Sequence, residues 1–520
     1  MALLQIVLFL LMCSVALGWT ARHFRFPYPI ALVIGGGALG FIPNLPELPL
    51  DSQFILALVL PPVLYQAALL TSWRDFKVNI RPIGLLAVGL VIATTFAVGA
   101  AFKMLVPDVP WAVAFVLGAI VSPPDAVAAT TILSRLNIPR RVVTILEGES
   151  LVNDASALVI YKFAVAAVMT GAFSLFDASV QFAEVAAGGI AIGVAMAMLF
   201  VAVHRRLGDV FIEVLTTLAV PYVAYILAES LHVSGVLAVV TAGLVRGRYS
   251  PEIVSAETRI IARSVWNLLV FLLNSLVFML IGLQLSEITG RLANEPAVEL
   301  IVAGALISTV AILVRFAWIY PAIWLPRLAS ARYRADNPAP PEAELFIMSW
   351  CGMRGIVSLA AALALPLTMP VTGVPFPARD LIVLVTFVVI AVTLVLQGLT
   401  LPMLIRRLKV ARDRSLYEEH HNASQSLGAA AMAAIDLQAL AEDAPADLTA
   451  RIRAEFSEKY ARAAVNTPEE ESRAGLSSRL RHAAIRAQRQ ELIRIWQDDQ
   501  ISDDVLHHIE EDLDYQESHL

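Results

Sequence analysis

Long apolar runs separated by short polar gaps fill the chain as far as Ile405. A helix of about 20 apolar residues crosses the hydrocarbon core of a bilayer, and most of these runs are that long. No Lys or Arg precedes the core of the first run, so we interpret it as a membrane helix rather than a signal peptide. The pattern predicts an all-α polytopic membrane protein with thirteen transmembrane helices. The predicted helices cover residues 1–20, 27–43, 50–71, 82–105, 110–134, 140–168, 179–203, 209–231, 233–246, 263–287, 297–325, 343–368 and 379–405.

The basic residues alternate from gap to gap, which supports this number of helices. Gaps on one side of the membrane hold twenty Lys and Arg residues, and gaps on the other side hold three: Lys103, Arg291 and Arg379. Loops rich in Lys and Arg stay in the cytoplasm. The alternation therefore predicts a multi-pass protein of the cell (inner) membrane, embedded in the lipid bilayer. Its amino terminus is expected outside the cell and its carboxyl tail in the cytoplasm.

Composition divides the chain into a transmembrane domain, 1–405, and a cytoplasmic helical tail, 406–520. Apolar residues make up 58% of the whole and charged residues 16%, whereas soluble domains are about 25% charged. From Arg412 onward the tail holds twenty-two acids and twelve bases. An acidic tail disfavours nucleic acid as a partner. The two cysteines, Cys13 and Cys351, both fall in membrane runs and exclude a disulfide framework or a zinc site.

Polar groups inside the sixth run are the main chemical signal. Residues Glu149, Ser150, Asn153 and Asp154 share one face of a helix. Ionisable groups at membrane depth are costly and usually functional. Asp154 is therefore the first candidate for a transported ion, whereas Glu149 is the better candidate for a structural ion pair.

Two further runs carry helix-breaking residues beside charged ones. Pro123 and Pro124 precede Asp125, with hydroxyls at Ser122 and Thr130 nearby. Prolines free backbone carbonyls, and carbonyl, hydroxyl and carboxylate oxygens are the ligands that a hard cation needs. A plain kink with a helix cap is the structural alternative.

The second interrupted run contains Gly352 and Gly355 around Arg354. An arginine in hydrocarbon needs a counter-ion, and Glu149 is the predicted partner. The two interrupted helices are seven apart in chain order, so they run in opposite directions. This relation predicts an inverted repeat with the substrate site between its broken helices.

Taken in order, these motifs resemble those of the sodium/proton exchanger family, in the bacterial type of the cation:proton antiporter-1 branch. Residues 148–155 read G-E-S-L-V-N-D-A, which is similar to the family's G-E-S-L-x-N-D motif. Residues 60–62 resemble its L-P-P segment, 122–127 its aspartate-bearing crossed helix, and 352–355 its G-x-R-G. The motif on the sixth helix is specific, and the resemblance covers about residues 1–410.

The resemblance implies a homodimer that exchanges one monovalent cation for one proton without net charge movement, and a role in pH homeostasis. It implies that Asp154 binds Na⁺ and H⁺ in competition, with Asn153 and Asp125 in support and Ser150 as a further ligand. It also implies that Glu149 pairs with Arg354. No cofactor is expected, because Na⁺ (or Li⁺ or K⁺) and H⁺ are the substrates.

Gln66 is a departure from the family's pattern, since many members carry an acid there. Gln66, Ser122 and Thr130 are candidates to lie beside the site. If Gln66 approaches the cation, an acid in its place should tighten cation affinity and move the pH optimum upward. In the alternative, Gln66 only forms a hydrogen bond with a neighbouring helix.

Desolvation favours the protonated form of Asp154, whereas a bound cation favours the ionised form. One site that holds either ion but not both couples their fluxes by alternating access. Other interpretations are a cation channel or uniporter, a membrane enzyme, and a transporter-like sensor that signals through its tail. The chain contains no H-E-x-x-H motif and no nucleophile motif beside a base, so it is not expected to be an enzyme.

Overall fold

A computed structural model defines the fold. It describes residues 2–23, 28–42, 52–125, 129–130, 133, 138–171, 175–291, 297–336, 339–369, 373–408, 410, 415–442, 444–463, 468–498, 509, 513 and 516. Residues 1–412 and 413–520 form two separate compact units. The described residues form helices, turns and connecting segments, with one isolated β-bridge between Thr368 and Pro375.

The first unit consists mainly of apolar helices, with two short charged ones at Trp73–Val78 and Ala331–Asp336. In chain order they are α1 (Ala2–His23), α2 (Tyr28–Gly40), α3 (Ser52–Leu70), α4 (Trp73–Val78), α5 (Ile80–Leu105), α6 (Trp111–Val121), α7 (Arg140–Thr170), α8 (Leu175–His204), α9 (Val210–Ser230), α10 (Gly235–Ile253), α11 (Ala256–Arg291), α12 (Ala297–Ala329), α13 (Ala331–Asp336), α14 (Glu342–Trp350), α15 (Ile356–Leu363) and α16 (Arg379–Leu408).

Seven helices in the described part of the chain are long and apolar enough to cross a bilayer. Shorter apolar stretches lie at 8–21, 28–40, 57–70 and 111–121. In its described residues the chain is thus all-helical apart from one β-bridge, with several candidate spans, and the number thirteen stays a prediction. The seven long spans cover 80–105, 140–170, 179–204, 210–230, 256–280, 298–329 and 379–408.

Two of the predicted helices are interrupted in the structure. Helix α6 ends at Val121, and the residues from Ser122 to Asp125 are not helical. The prolines at 123 and 124 explain this end, because proline lacks a donor N–H and clashes with the preceding turn. Helices α14 and α15 are separated by a non-helical segment at 351–355. The continuation of the first interrupted helix through 126–128 lies outside the described residues.

Helix α5 contains a π-helical segment at Leu85–Leu90. Trp318 of α12 packs against this segment, and its Nε1 donates a hydrogen bond of 3.0 Å to the carbonyl of Leu85. A Cβ at Gly89 would fall 2.5 Å from Cζ2 of Trp318, so glycine allows the indole to approach. The wider π turn and this glycine fix α5 against α12.

The second unit contains three helices that follow one another along the tail. They are α17 (Ser415–Ala441), α18 (Ala446–Ala463) and α19 (Pro468–Gln497). Arg453 of α18 forms an ion pair of 3.0 Å with Asp436 of α17. Both side chains are about half exposed, so this pair contributes roughly 0–1 kcal/mol.

Candidate functional site

The two interrupted helices meet at their breaks. The backbone N–H of Asp125 donates to the carbonyl of Met353 at 2.7 Å. Nε of Arg354 donates to the carbonyl of Val121 at 2.9 Å. Gly355 lies so close to Asp125 that a Cβ at this position would fall 1.7 Å from Oδ2 of the carboxylate. The approach of the two broken segments therefore requires a glycine at 355.

Asn153 connects α7 to the first break. Its Nδ2 donates a hydrogen bond of 3.1 Å to the carbonyl of Pro124. Its Oδ1 is buried and has no hydrogen-bond partner among the described residues. Buried polar atoms usually have a partner, and an amide oxygen is a suitable cation ligand. Asn153 thus ties α7 to the first break through one end of its amide, and it is not among the residues that line the small cavity beside that break.

A small cavity lies where α3, α7 and the two breaks converge. Its volume is about 40 Å³, and a water molecule needs on the order of 10–15 Å³ by the same measure. Asp125, Ser150, Asp154 and Ser358 provide its polar lining. Asp154 is 6% exposed, and a carboxylate so deeply buried is costly unless a proton or a cation neutralises it. The cavity has room for a small ion beside the two acids.

The apolar side of this cavity comes mainly from α3. Leu60, Val63 and Leu64 line it, on either side of Pro61 and Pro62 in the chain. Val357 from the start of α15 contributes as well. Apolar walls exclude water and strengthen the electrostatic interactions inside.

Glu149 forms its ion pair with Arg315 of α12. Nη1 and Nη2 of the guanidinium donate to the two carboxylate oxygens at 2.5 and 2.7 Å. Nε of Arg315 donates to the carbonyl of Met348 at 3.0 Å. Both charged side chains are 1% exposed. The bidentate pair joins α7 to α12 and to the end of α14, beside the second break.

The prediction that Glu149 pairs with Arg354 was wrong. Arg354 donates instead to carbonyls at the breaks, from Nε to Val121 and from Nη1 to Gly352. Its backbone N–H donates to Oγ1 of Thr393 at 3.1 Å. The carbonyls that the interrupted helices leave without intrahelical donors therefore accept from this arginine. The guanidinium of Arg315 pairs with the carboxylate of Glu149 instead.

The remaining predicted residues lie at the edge of the cavity or away from it. Ser122 is buried and donates to the carbonyl of Ala119 at 2.9 Å. Thr130 is half-buried and is not among the residues that line the cavity. Gln66 does not line the cavity either. Its Nε2 donates a hydrogen bond of 3.0 Å to Oδ1 of Asn267 on α11. The structure thus favours the interpretation in which Gln66 only bonds to a neighbouring helix.

Sequence reasoning missed Arg315 and Ser358. Arg315 lies in the middle of the apolar run 297–325, and a single arginine at membrane depth is itself a signal of a buried partner. Counting basic residues in the gaps does not reveal Arg315, because it lies inside a run. Ser358 gave no comparable signal, since a serine in an apolar helix is common. Its buried Oγ has no hydrogen-bond partner among the described residues.

The sequence and the fold match those of known proteins. A family described as "Sodium/hydrogen exchanger, transmembrane" matches residues 7–407. A Mycobacterium tuberculosis protein named as a Na⁺/H⁺ exchanger is 32% identical over 99% of this chain and 96% of its own length. A Bacillus subtilis antiporter, named for sodium, potassium, lithium and rubidium against H⁺, is 34% identical over 73% of this chain and 58% of its own length.

The solved structures include a chain with the same fold. The sodium proton antiporter MjNhaP1 from Methanocaldococcus jannaschii aligns with a TM-score of 0.63 at 18% identity. The alignment covers 78% of this chain and 99% of that one. Together with the family match, this shows a multi-pass membrane antiporter fold. The chain belongs to the sodium/hydrogen exchanger family.

Proposed function

We propose that this protein exchanges a monovalent cation, Na⁺ first, for H⁺ at Asp154. The observation that carries the proposal is the small cavity where both broken helices meet. It holds Asp154 beside Asp125, Ser150 and Ser358. Asn153, which donates to the carbonyl of Pro124 in the same lining, has an amide oxygen without a hydrogen-bond partner among the described residues. Carboxylate, hydroxyl and amide oxygens form a ligand set suited to a hard cation.

Competition at one carboxylate supplies the coupling. With a proton bound, Asp154 is neutral and burial costs little; with a cation bound, the ion pair is neutral overall. An empty, ionised carboxylate is the costly state, which disfavours movement of the unloaded site across the membrane. One proton is thus exchanged for one monovalent cation, and the cycle is electroneutral.

Asp125 has a positioning role in this proposal. Its N–H bond to Met353 and the contact with Gly355 hold its carboxylate where the two interrupted helices meet, at residues 122–125 and 351–355, which we call the crossing. Arg354 neutralises carbonyl dipoles at the same place, since it donates to Val121 and Gly352. The crossing therefore brings two acids and one guanidinium close together, with the guanidinium bonded to backbone carbonyls.

Alternating access would move this crossing relative to the rest of the membrane unit. The opposite course of the two interrupted helices supports an inverted repeat, and the thirteen predicted runs support two six-helix halves with a linker helix. The excess of basic residues on one side supports an outside amino terminus and a tail inside the cell. A homodimer in the cell (inner) membrane completes the proposal.

The experiment is cation-driven proton flux in proteoliposomes that contain the full chain. Na⁺, Li⁺ and K⁺ are compared at several pH values, since the Bacillus subtilis relative is named for all three. Competition predicts that the apparent KM for the cation rises tenfold for each pH unit below the protonation range of the site. An apparent KM that does not vary with pH would contradict a shared site.

A further inference from the structure

A second and larger cavity lies between α5, α7, α12 and α14. Its volume is about 630 Å³, within the roughly 300–1,000 Å³ range of small-molecule sites. None of its lining residues lines the small cavity at Asp154. We call it the arginine cavity, after Arg81, Arg141 and Arg327, which line it.

The charge of the arginine cavity is positive. Among the described residues that line it, three are arginines and one, Glu344, is an acid. Arg81 and Arg141 are exposed and form no ion pair with another described residue. Arg327 is 5% exposed and donates from Nη1 to the carbonyl of Ile323. Such a lining repels Na⁺ and attracts anions, so this cavity does not belong to the cation path.

The inner walls of the arginine cavity are apolar. Pro82 and Leu85 of α5, Ile145 of α7 and Ile323 of α12 form them. Leu85 lies in the π-helical segment, and wider turns of this kind occur frequently at functional sites. A ligand that fills the cavity needs an anionic end and an apolar end.

The surface beside the cavity is also apolar. Val78, which lines the cavity, is 77% exposed, and Leu328, next to Arg327 in the chain, is 74% exposed. Leu325 on the same helix is 62% exposed. Leu325 and Leu328 lie on α12, a candidate span, and exposed aliphatic side chains on a membrane helix face lipid. An acyl chain could therefore reach the cavity from the bilayer along α12. An inorganic anion in water would use only the arginines.

The arginines place the cavity at one face of the membrane. Arg81, Arg141 and Arg327 all belong to the side that holds twenty of the Lys and Arg residues in the gaps. Basic pockets between helices on that side bind the headgroups of anionic lipids. We propose that the arginine cavity binds one anionic phospholipid, with its phosphate on these arginines and one acyl chain along the apolar wall.

A bound phospholipid would share a wall with the ion pair. Met348 lines the arginine cavity, and its carbonyl accepts the hydrogen bond from Nε of Arg315. An acyl chain against Met348 would therefore pack behind the Glu149–Arg315 pair. The lipid is expected to stabilise the folded membrane unit, and this effect does not depend on transport.

The test uses the full chain, delipidated in a neutral detergent. Phosphatidylglycerol, phosphatidylcholine or inorganic phosphate is titrated at constant ionic strength while the thermal unfolding midpoint is recorded. Native mass spectrometry counts the retained lipids. The double variant Arg81→Gln, Arg141→Gln is compared with Arg332→Gln, Arg334→Gln, which removes two exposed arginines that do not line the cavity. A third variant, Ala322→Phe, fills the cavity and keeps every charge.

Wild type should bind one phosphatidylglycerol, and phosphatidylcholine and inorganic phosphate should have little effect. Loss of Arg81 and Arg141 should weaken lipid binding roughly 30-fold, because each of the two arginines contributes one contact with the anionic headgroup and each contact accounts for about fivefold in affinity. Ala322→Phe should also weaken it, whereas the control double variant should stay within about twofold. Equal affinity in the two double variants would overturn the proposal. Equal stabilisation by inorganic phosphate, with no effect of Ala322→Phe, would show a free-anion site and overturn it as well.

Discussion

Removing Arg315 should destabilise the protein more than removing an exposed arginine. The Arg315→Gln variant leaves the carboxylate of Glu149, which is 1% exposed, without its bidentate partner. It also removes the hydrogen bond to the carbonyl of Met348. Breaking a buried ion pair by removing one partner typically costs about 3–5 kcal/mol. The same change at Arg334, which is exposed, should cost less than about 0.5 kcal/mol.

A double-mutant cycle identifies the partner of Glu149. Free energies of unfolding are measured by titrating purified protein in mild detergent with SDS, for Glu149→Gln, Arg315→Gln and the double variant. The double variant should recover part of the loss, with a coupling energy of about 1–3 kcal/mol. The corresponding cycle with Arg354→Gln should give a smaller coupling, because that guanidinium donates to the carbonyls of Val121 and Gly352. A larger coupling to Arg354 than to Arg315 would refute the assignment.

Two substitutions test the geometry of the site, and an imposed voltage tests the stoichiometry of exchange. Gly355→Ala places a Cβ 1.7 Å from Oδ2 of Asp125 and should lower the exchange rate at least tenfold. The control Gly84→Ala, where nothing lies within 4 Å of the added Cβ, should leave the rate unchanged. Equal rates in the two variants would show that the crossing tolerates a side chain. Gln66→Glu should leave the apparent KM for Na⁺ near the wild-type value, because Gln66 bonds to Asn267 and does not line the cavity; a clear tightening of Na⁺ affinity would return Gln66 to the site. An imposed membrane potential should not alter the initial rate or the final gradient of exchange in proteoliposomes, and a voltage-driven shift would contradict one-for-one exchange.

Local sequence patterns predicted the breaks in the two helices. Pro123 and Pro124 remove backbone donors, and Gly352 and Gly355 disfavour helix, so both interruptions follow from residue type alone. The polar face of α7 followed from helical periodicity in the same way. The family resemblance added the competition of cation and proton at Asp154, which periodicity alone does not give.

Pairing between helices was harder to predict. Arg315 and Arg354 both lie in the interior of apolar runs, and the sequence does not choose between them as partners of Glu149. The structure shows that the guanidinium of Arg315 reaches Glu149 from α12. The environment of Gln66 was undetermined for the same reason, since Asn267 lies on α11 and its distance along the chain gives no indication of contact. Contacts between distant segments depend on helix rotation and tilt, which hydropathy does not fix.

In the proposed mechanism, Asp154 carries the cation and the proton in turn. The most direct test is Na⁺-driven proton flux in proteoliposomes that contain Asp154→Asn, beside Asp108→Asn as a control. The control makes the same chemical change at an exposed aspartate in the loop between α5 and α6. Both variants should insert and fold normally. Asp154→Asn should show no exchange above that of empty liposomes, and Asp108→Asn should exchange at the wild-type rate. Sodium-driven proton flux at the wild-type rate in Asp154→Asn would contradict this mechanism.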